Sequence, residues 1–197
     1  MYKKLKKKFK LKKYSAGIIG LGYVGLPLAI KYINQGIKVF GVDHDVRKVK
    51  KHQKGISYIG SIKTNYFKKN PQRISAKYSI LKDCDVIFIC LPTPLKGKKP
   101  NLKYIFDCAK NLKPYVLPGK LIILESTVYP GVTRKLKDFF KKENLKAGKD
   151  IFIGYSPERE NPGDKKFSYK TTPKVISGYT DKCLSLVDAV YSPVVSK

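Results

Sequence analysis

The segment SAGIIGLGYVGLPLAIKYINQG, residues 15–36, contains the strongest local indication of the fold. Residues 15–20 form a short apolar run that is typical of a buried strand. Residues 23–35 have the apolar spacing and length of a helix, which Gly36 ends. A strand that passes through a glycine-rich turn directly into a helix predicts the first unit of an α/β protein.

The turn between these two elements fits the pattern GxGxxG, with Gly20, Gly22 and Gly25 at its fixed positions and Tyr23 and Val24 between the last two. In a strand–turn–helix context, the first glycine permits the tight turn and the second lets the backbone approach a pyrophosphate. The third lets the helix pack closely on the sheet, and the free N–H groups at the helix start face the phosphates. The sequence therefore predicts a dinucleotide loop, against the alternative of a purely structural glycine turn.

An acidic residue follows where a dinucleotide needs one. Asp43 ends the second predicted strand, residues 38–43, and lies 18 residues beyond Gly25. A carboxylate there accepts hydrogen bonds from the ribose hydroxyls and repels a 2′-phosphate. The predicted cofactor is therefore NAD rather than NADP; the alternative is an unrelated surface aspartate.

The rest of the chain alternates short apolar runs with amphipathic ones. Strands are predicted at 77–80, 85–91, 120–125, 151–155 and 174–177, and helices at 45–53, 62–68, 102–115, 131–143 and 181–191. Interleaved strands and helices indicate a parallel sheet with helices on both faces. We predict an α/β, Rossmann-type doubly wound parallel sheet in a single domain, residues 14–197.

The charge of the chain suggests another partner class at first sight. Lys and Arg number 42 against 14 Asp and Glu, a net charge of +28, and eight lysines lie within residues 1–13. We expect these thirteen residues to form a disordered, solvated Lys-rich arm, with weak adhesion to anionic surfaces as the alternative. Because 38 of the 42 cations are Lys, which lacks the bidentate fork of Arg, we expect no specific nucleic-acid partner.

Targeting and metal binding are not expected either. The uncharged stretch 14–30 contains four glycines and a proline, which suits neither a signal peptide nor a membrane span, so a cytoplasmic location is expected. The four cysteines include no CxxC pair and the chain has two histidines. We therefore expect no metal site, and reduced thiols.

Four further segments each follow a predicted strand or contain one: CLPTPL (90–95), ESTVYPGVT (125–133), YSPERENPGD (155–164) and KVISGYT (174–180). Together with GIIGLGYVGLPLA (17–29), they resemble the N-terminal NAD-binding domain of the UDP-glucose/GDP-mannose 6-dehydrogenase family. The SPER…PGD form resembles the UDP-N-acetyl-hexosamine branch, typified by UDP-N-acetylglucosamine 6-dehydrogenase. The resemblance implies oxidation of the C6 alcohol of a UDP-sugar to a carboxylate with two NAD, through a thioester on a cysteine, as in polysaccharide biosynthesis.

The resemblance also assigns roles to residues of the cofactor side. Thr93, held between two prolines after a buried strand, matches a residue that lies along NAD, and Ser126 and Lys48 match residues that contact it. The residues themselves leave open a proline-rich turn at Thr93 and a helix-capping hydroxyl at Ser126.

On the substrate side, Thr127 and Glu158 match residues that position the hydrolytic water, and Glu158 has the chemistry of a general base. A capping Thr127 and a solvated Glu158 are the alternatives. By the resemblance, the loop containing Glu158, Arg159, Glu160 and Asn161 lines the sugar site. Three positions depart from the family pattern and affect the choice of sugar: Gly60, Val132 and Glu160.

In the family, the catalytic Lys and Asn, the nucleophilic Cys and the UDP-binding domain follow the part matched here. We therefore expect this chain not to complete the oxidation alone, either because it is a truncated product or because a second polypeptide supplies the missing half. Cys183 opens the last predicted helix, a position that can lower a thiol pKa, but the family commonly has an ordinary Cys there that is not its nucleophile, so we do not expect Cys183 to be catalytic. Alternatives are a nucleotide-binding module without catalysis, a basic adhesion protein, and a hydroxyacid or phosphogluconate-type dehydrogenase, which shares only the glycine loop.

Overall fold

A computed structural model describes residues 1–59, 62–141, 144–158 and 173–195. The helices within these ranges are α1 (Tyr2–Lys10), α2 (Gly25–Asn34), α3 (Val46–Gln53), α4 (Asn65–Lys69), α5 (Lys103–Leu112), α6 (Val132–Lys141) and α7 (Asp181–Tyr191). The strands are β1 (Ser15–Ile19), β2 (Lys38–Val42), β3 (Ile74–Ser75), β4 (Val86–Ile89), β5 (Leu95–Lys96), β6 (Lys99–Pro100), β7 (Leu121–Leu124), β8 (Phe152–Tyr155) and β9 (Ser177–Gly178). Residues 142–143, the end of the predicted helix 131–143, lie outside the described ranges.

Seven strands form one sheet in the order β3-β2-β1-β4-β7-β8-β9, and β5 pairs with β6 in a separate hairpin. The first six strands of this order run parallel, whereas β9 runs antiparallel to β8. The prediction of a Rossmann-type α/β sheet in a single domain is confirmed, but the sheet is mostly rather than wholly parallel, because β9 runs antiparallel. Chain order reverses between β1 and β4, and in such sheets a ligand crevice opens beyond the carboxyl ends of the strands at this point.

Both faces of the sheet are buried. On one face, Ile18 and Phe88 belong to a cluster with residues of α1, α2 and α7. On the other, Ile19 and Ile89 belong to a cluster with residues of α5 and α6. Because alternate residues of a strand face opposite sides and both sides are covered, these strands are apolar throughout rather than alternating.

The prediction that residues 1–13 form a disordered arm is wrong, because residues 2–10 form the helix α1. Leu5 and Phe9, one turn apart, are buried, and the Phe9 ring packs edge-on against Tyr14 with centroids 4.9 Å apart. Nζ of Lys8 lies 2.5 Å from Oδ1 of Asp85. The prediction missed α1 because six of its nine residues are lysines and only Leu5 and Phe9 form an apolar pair at helical spacing. Burial of this pair against the sheet supplies the stability that such a short helix lacks alone.

Two short strands also differ from the prediction. Residues 78–81 form a 3₁₀ turn rather than a strand, and the strand lies earlier, at β3, where it pairs with Gly41 and Val42. The predicted strand 174–177 is reduced to β9. A Cβ on Gly178 would lie 2.0 Å from the backbone nitrogen of Leu184, so the glycine permits α7 to pack against this edge. Such two-residue strands depend on long-range pairing, which a local pattern does not contain.

The helices are short, and α7, with 11 residues, is the longest α-helix in the described ranges. None of the described helices combines the length and the apolar character needed to cross a membrane.

Candidate functional site

The three glycines of the loop between β1 and α2 are required for different reasons. Gly20 has φ of +87°, and a Cβ there would lie 2.5 Å from the carbonyl oxygen of Cys90. A Cβ on Gly25 would lie 1.9 Å from the carbonyl oxygen of Gly20. A Cβ on Gly22 would meet no atom within 4 Å, and its φ is not positive. The fold thus needs glycine at 20 and 25, whereas at Gly22 only a ligand approaching the backbone would need it, which fits a pyrophosphate.

Asp43, directly after β2, is oriented by this loop. The carboxylate is 4% exposed; Oδ2 accepts a hydrogen bond from the Leu21 N–H at 3.0 Å, and Oδ1 accepts one from the Asp45 N–H at 3.0 Å. A carboxylate oxygen can accept two hydrogen bonds, so each oxygen of Asp43 can still accept one from a ribose hydroxyl. Imidazole Nδ1 of the exposed His44 lies 3.5 Å from Oδ1. The residues present fit the adenosine ribose of NAD.

An aromatic side chain supports the loop from one side. The Tyr58 hydroxyl donates a hydrogen bond to the carbonyl oxygen of Leu21. Nζ of Lys48 lies 4.8 Å from the centroid of the Tyr58 ring, and the exposed Tyr23 packs edge-on against it with centroids 6.4 Å apart. Burial, with the nearby Asp43 carboxylate, raises the pKa of Tyr58 to about 12, so the hydroxyl remains a donor at neutral pH.

The hydroxyls of Thr93 and Ser126 join the ends of β4 and β7. Thr93 Oγ1 donates to the carbonyl oxygen of Thr127 at 2.8 Å. Ser126 Oγ accepts from the Leu91 N–H at 3.0 Å and donates to the carbonyl oxygen of Ile89 at 3.3 Å. These bonds tie two neighbouring loops together at the floor of the crevice; neither hydroxyl caps α6, which begins at Val132.

A buried ion pair lies beside this floor, between Glu125 at the end of β7 and Lys174 before β9. Lys174 Nζ donates to Glu125 Oε2 at 2.8 Å and to the carbonyl oxygen of Pro157 at 3.2 Å, while the Tyr191 hydroxyl of α7 donates to Glu125 Oε1. Burial raises the pKa of Glu125, and the Lys174 ammonium offsets part of that rise. The pair therefore joins β7 to the segment that carries Glu158, the residue after Pro157.

A cleft of about 480 Å³ lies over these groups. Its lining includes Gly20, Gly22, Tyr23, Val24, Asp43, His44, Lys48, Cys90, Leu91, Pro92, Thr93, Tyr104, Glu125, Ser126, Thr127 and Glu158. The exposed Thr127 and the half-buried Glu158 thus border the same space as the glycine loop. Gly25 packs behind the loop and is not among these lining residues. Gly60, Arg159, Glu160 and Asn161 lie outside the described residues.

The four residues that support the cleft were not predicted as site residues, nor were the lining residues His44, Cys90, Leu91, Pro92 and Tyr104. Glu125 carried a signal, because it is an acidic residue that directly precedes Ser126 at the end of a buried strand. Tyr58 lies in a stretch without clear periodicity. Tyr191 lies at the end of a helix whose apolar residues indicate only packing in the core. Lys174 cannot be distinguished by composition in a chain with 38 lysines.

The cysteines offer no nucleophile to the cleft. All four are buried, and burial raises the thiol pKa of Cys84, Cys90 and Cys108. The substitute considered above, Cys183, is fully buried, and its Sγ lies 3.4 Å from the Ile153 nitrogen and 3.2 Å from the Thr180 hydroxyl. No group of three or more His, Cys, Asp or Glu suited to a metal ion occurs in the part of the chain that the structure describes.

Comparison with known proteins gives a consistent result. Residues 15–195 match the NAD binding domain of the UDP-glucose/GDP-mannose dehydrogenase family. Protein CapL of Staphylococcus aureus is 37% identical over 91% of this chain, and UDP-N-acetyl-D-glucosamine 6-dehydrogenase of Pseudomonas aeruginosa is 32% identical over 94%. The solved structure of the UDP-D-ManNAc dehydrogenase of Pyrococcus horikoshii superposes with a TM-score of 0.86 at 29% identity over 92% of the chain. The chain spans 43%, 45% and 45% of these three proteins, respectively.

Proposed function

The chain belongs to the UDP-glucose/GDP-mannose dehydrogenase family, as its NAD-binding domain, and on that premise we propose that it serves the oxidation of a UDP-N-acetyl-hexosamine at C6. The proposed reaction converts the C6 alcohol to a carboxylate with two NAD, in the cytoplasm. The choice of sugar is supported by the SPER…PGD segment and by a relative that is named a UDP-N-acetyl-D-glucosamine 6-dehydrogenase.

One observation carries the proposal: the glycine loop and the pair Thr127 and Glu158 border a single cleft. A module that only bound a nucleotide would not need the Glu158 carboxylate and the Thr127 hydroxyl beside the cofactor site. The buried Glu125–Lys174 pair supports that wall, because Lys174 holds the backbone beside Glu158 and Glu125 precedes the Ser126–Thr127 segment.

The cofactor side is assigned to residues at the ends of β1, β2 and β4. The backbone around Gly22 would hold the pyrophosphate, Asp43 the adenosine ribose, and Lys48 would lie near that ribose. Thr93 and Ser126 form the floor along which the nicotinamide half would extend. When bound, NAD supplies the acceptor for the hydride that leaves C6.

Thr127 and Glu158 are assigned to the hydrolytic part of the reaction. Glu158 would accept a proton from water, and Thr127 would orient that water by a hydrogen bond. The segment 158–161, with Arg159, Glu160 and Asn161, is proposed to line the sugar site. Arg159 is one of four Arg in the chain and would suit a diphosphate or carboxylate contact.

The proposed reaction also needs an accessible thiolate, which the four buried cysteines do not provide. We propose that the nucleophilic cysteine lies outside these 197 residues, and a second polypeptide is one source that could supply it. The buried cysteines also favour a second candidate, in which the chain binds NAD and a nucleotide sugar without turnover.

The test combines binding with turnover. NADH titrated into the purified chain, followed by NADH fluorescence, should show saturable binding, and NADPH should bind more weakly. Incubation with NAD and UDP-N-acetylglucosamine should yield no sustained NADH formation. UDP-N-acetylglucosamine should bind in the cleft more tightly than UDP-glucose or GDP-mannose does. Absence of NADH binding would overturn the cofactor assignment, and sustained formation of NADH and uronate would overturn the need for an external cysteine.

A further inference from the structure

The outward side of α1 is a surface of lysines. Leu5 and Phe9 face the protein, and two lysines are held by neighbours: Lys6 Nζ donates to the Ser185 hydroxyl at 2.5 Å, and Lys8 pairs with Asp85. The remaining lysines of the helix are all exposed and, at 100° per residue, fall within one arc opposite Leu5 and Phe9. We call this surface, formed by Lys3, Lys4, Lys7 and Lys10, the lysine face.

The lysine face lies in a part of the sequence that is rich in lysine and lacks acidic residues. Residues 1–42 contain ten Lys and no Asp or Glu. In the described ranges, none of the four lysines of the face lies within ion-pair distance of a carboxylate. The apolar side chains of Met1 and Leu11 flank the helix and are 63% and 53% exposed. A folded helix presents these charges on one rigid side, which a disordered arm would not do.

The lysine face lies at the opposite edge of the sheet from the cofactor cleft. Lys4 and Leu5 of α1 border the same groove as Asp85 and Gly119, which lie at the amino ends of β4 and β7. The cleft is formed by residues at the carboxyl ends of the same strands. A surface bound by α1 would therefore leave the cleft open to solution.

We propose that the lysine face binds the surface of an anionic lipid membrane. Lys ammoniums on flexible stems suit a layer of mobile headgroups, and the exposed Leu11 can contact its apolar boundary. The face has no Arg for bidentate phosphate contacts, and the aromatic residues of α1, Tyr2 and Phe9, face the protein, where they cannot stack on bases. Lipid headgroups therefore fit this surface better than nucleic acid does.

The expected effect follows from the number of lysines. Each Lys near an anionic membrane raises the partition coefficient by about fivefold, so four independent contacts should together contribute up to about 600-fold. The dependence on salt should be steep, because the contacts are exposed. Vesicles without anionic lipid should not bind the chain.

The experiment is co-sedimentation of the full chain with vesicles of phosphatidylcholine containing one-third phosphatidylserine. The test variant is Lys3→Gln, Lys4→Gln, Lys7→Gln, Lys10→Gln, and the matched control replaces four exposed lysines elsewhere: Lys50→Gln, Lys51→Gln, Lys69→Gln, Lys110→Gln. Both variants carry the same net charge. The test variant should lose at least about fiftyfold in partitioning and the control less than about fivefold. NADH binding and urea unfolding should be unchanged in the test variant, which separates this result from the proposed function and from misfolding.

Three outcomes would overturn the proposal: no partitioning of the unmodified chain, equal losses in the two variants, or binding to phosphatidylcholine alone. Tighter binding to duplex DNA than to the vesicles, lost in the same test variant, would reassign the lysine face to nucleic acid.

Discussion

Replacing Gly22 by alanine should separate cofactor binding from folding. A Cβ at this position would meet no protein atom within 4 Å, and the backbone φ lies outside the left-handed region. The matched comparison is Gly25→Ala, because a Cβ at Gly25 would lie 1.9 Å from the carbonyl oxygen of Gly20. The two substitutions add the same methyl group to the same loop, one into open space and one into the backbone.

The magnitudes follow from these two environments. Gly22→Ala should leave stability unchanged or raise it by about 0.4–1 kcal/mol, since alanine restricts the unfolded chain. A phosphate oxygen bonded to a loop N–H lies about 2.9 Å from that nitrogen, whereas a methyl carbon needs about 3.5 Å from its neighbours. Displacement of the phosphate should cost one charge-assisted hydrogen bond, about 1.5–3 kcal/mol, which is about a 10- to 100-fold loss of NADH affinity. Gly25→Ala should lose about 3 kcal/mol of stability or more.

The assay pairs urea unfolding, followed by circular dichroism, with titration of NADH followed by its fluorescence. The chain contains no Trp, so the NADH signal is read without tryptophan emission. NADH affinity equal to that of the unmodified chain in Gly22→Ala would refute the placement of the pyrophosphate over Gly22. A loss of stability in Gly22→Ala as large as in Gly25→Ala would refute the structural distinction between the two glycines.

Three further substitutions test the rest of the cleft. Asp43→Asn should weaken NADH binding and narrow the preference for NADH over NADPH, because the neutral amide no longer repels a 2′-phosphate; titration with both cofactors measures it. Tyr58→Phe should weaken NADH binding by about tenfold and lower stability by about 1 kcal/mol, because the carbonyl of Leu21 loses its donor and the loop is less well held. Lys174→Met should lower the free energy of unfolding by about 3–5 kcal/mol at neutral pH, because it leaves Glu125 as an unpaired buried charge. The loss should be smaller near pH 5, since burial raises the folded-state pKa of Glu125 and stability falls as pH rises through that pKa.

Each of these expectations has a result that contradicts it. An unchanged cofactor preference in Asp43→Asn would place the ribose elsewhere. For Tyr58→Phe the control is Tyr66→Phe, outside the cleft, and equal NADH affinities in the two variants would remove Tyr58 from the support of the loop. A loss of stability in Lys174→Met that does not depend on pH would show that packing, rather than the Glu125 carboxylate, accounts for it.

The sheet was predictable from local pattern to different degrees along the chain. Strands β1, β2, β4, β7 and β8 have four or five residues and are mainly apolar, and predicted helices separate most of them along the chain. The two-residue strands β3 and β9 have no such pattern, and they form only because neighbouring strands pair with them. Helix α1 was missed because six lysines outweigh two buried apolar residues in any local count, although only the two apolar residues decide where it docks.

The candidate site divides in the same way. Spacing alone indicated Gly20, Gly22, Gly25 and Asp43, because the pyrophosphate and ribose of a dinucleotide impose fixed distances on one βαβ unit. Spacing did not indicate that Lys174 reaches Glu125 across the sheet edge, a contact between residues 49 positions apart in the chain.

Local sequence sufficed to place the five main strands, the glycine loop and its acidic partner, since each depends on residues close along the chain. Only the tertiary structure decided which lysines are ordinary surface charges and which are held. Lys174 is buried against Glu125, Lys8 pairs with Asp85, and the lysine face of α1 is turned to solution. The physical reason is that a charged side chain acquires its role from burial and from carboxylates brought near it by folding, and neither is encoded in its neighbours along the chain.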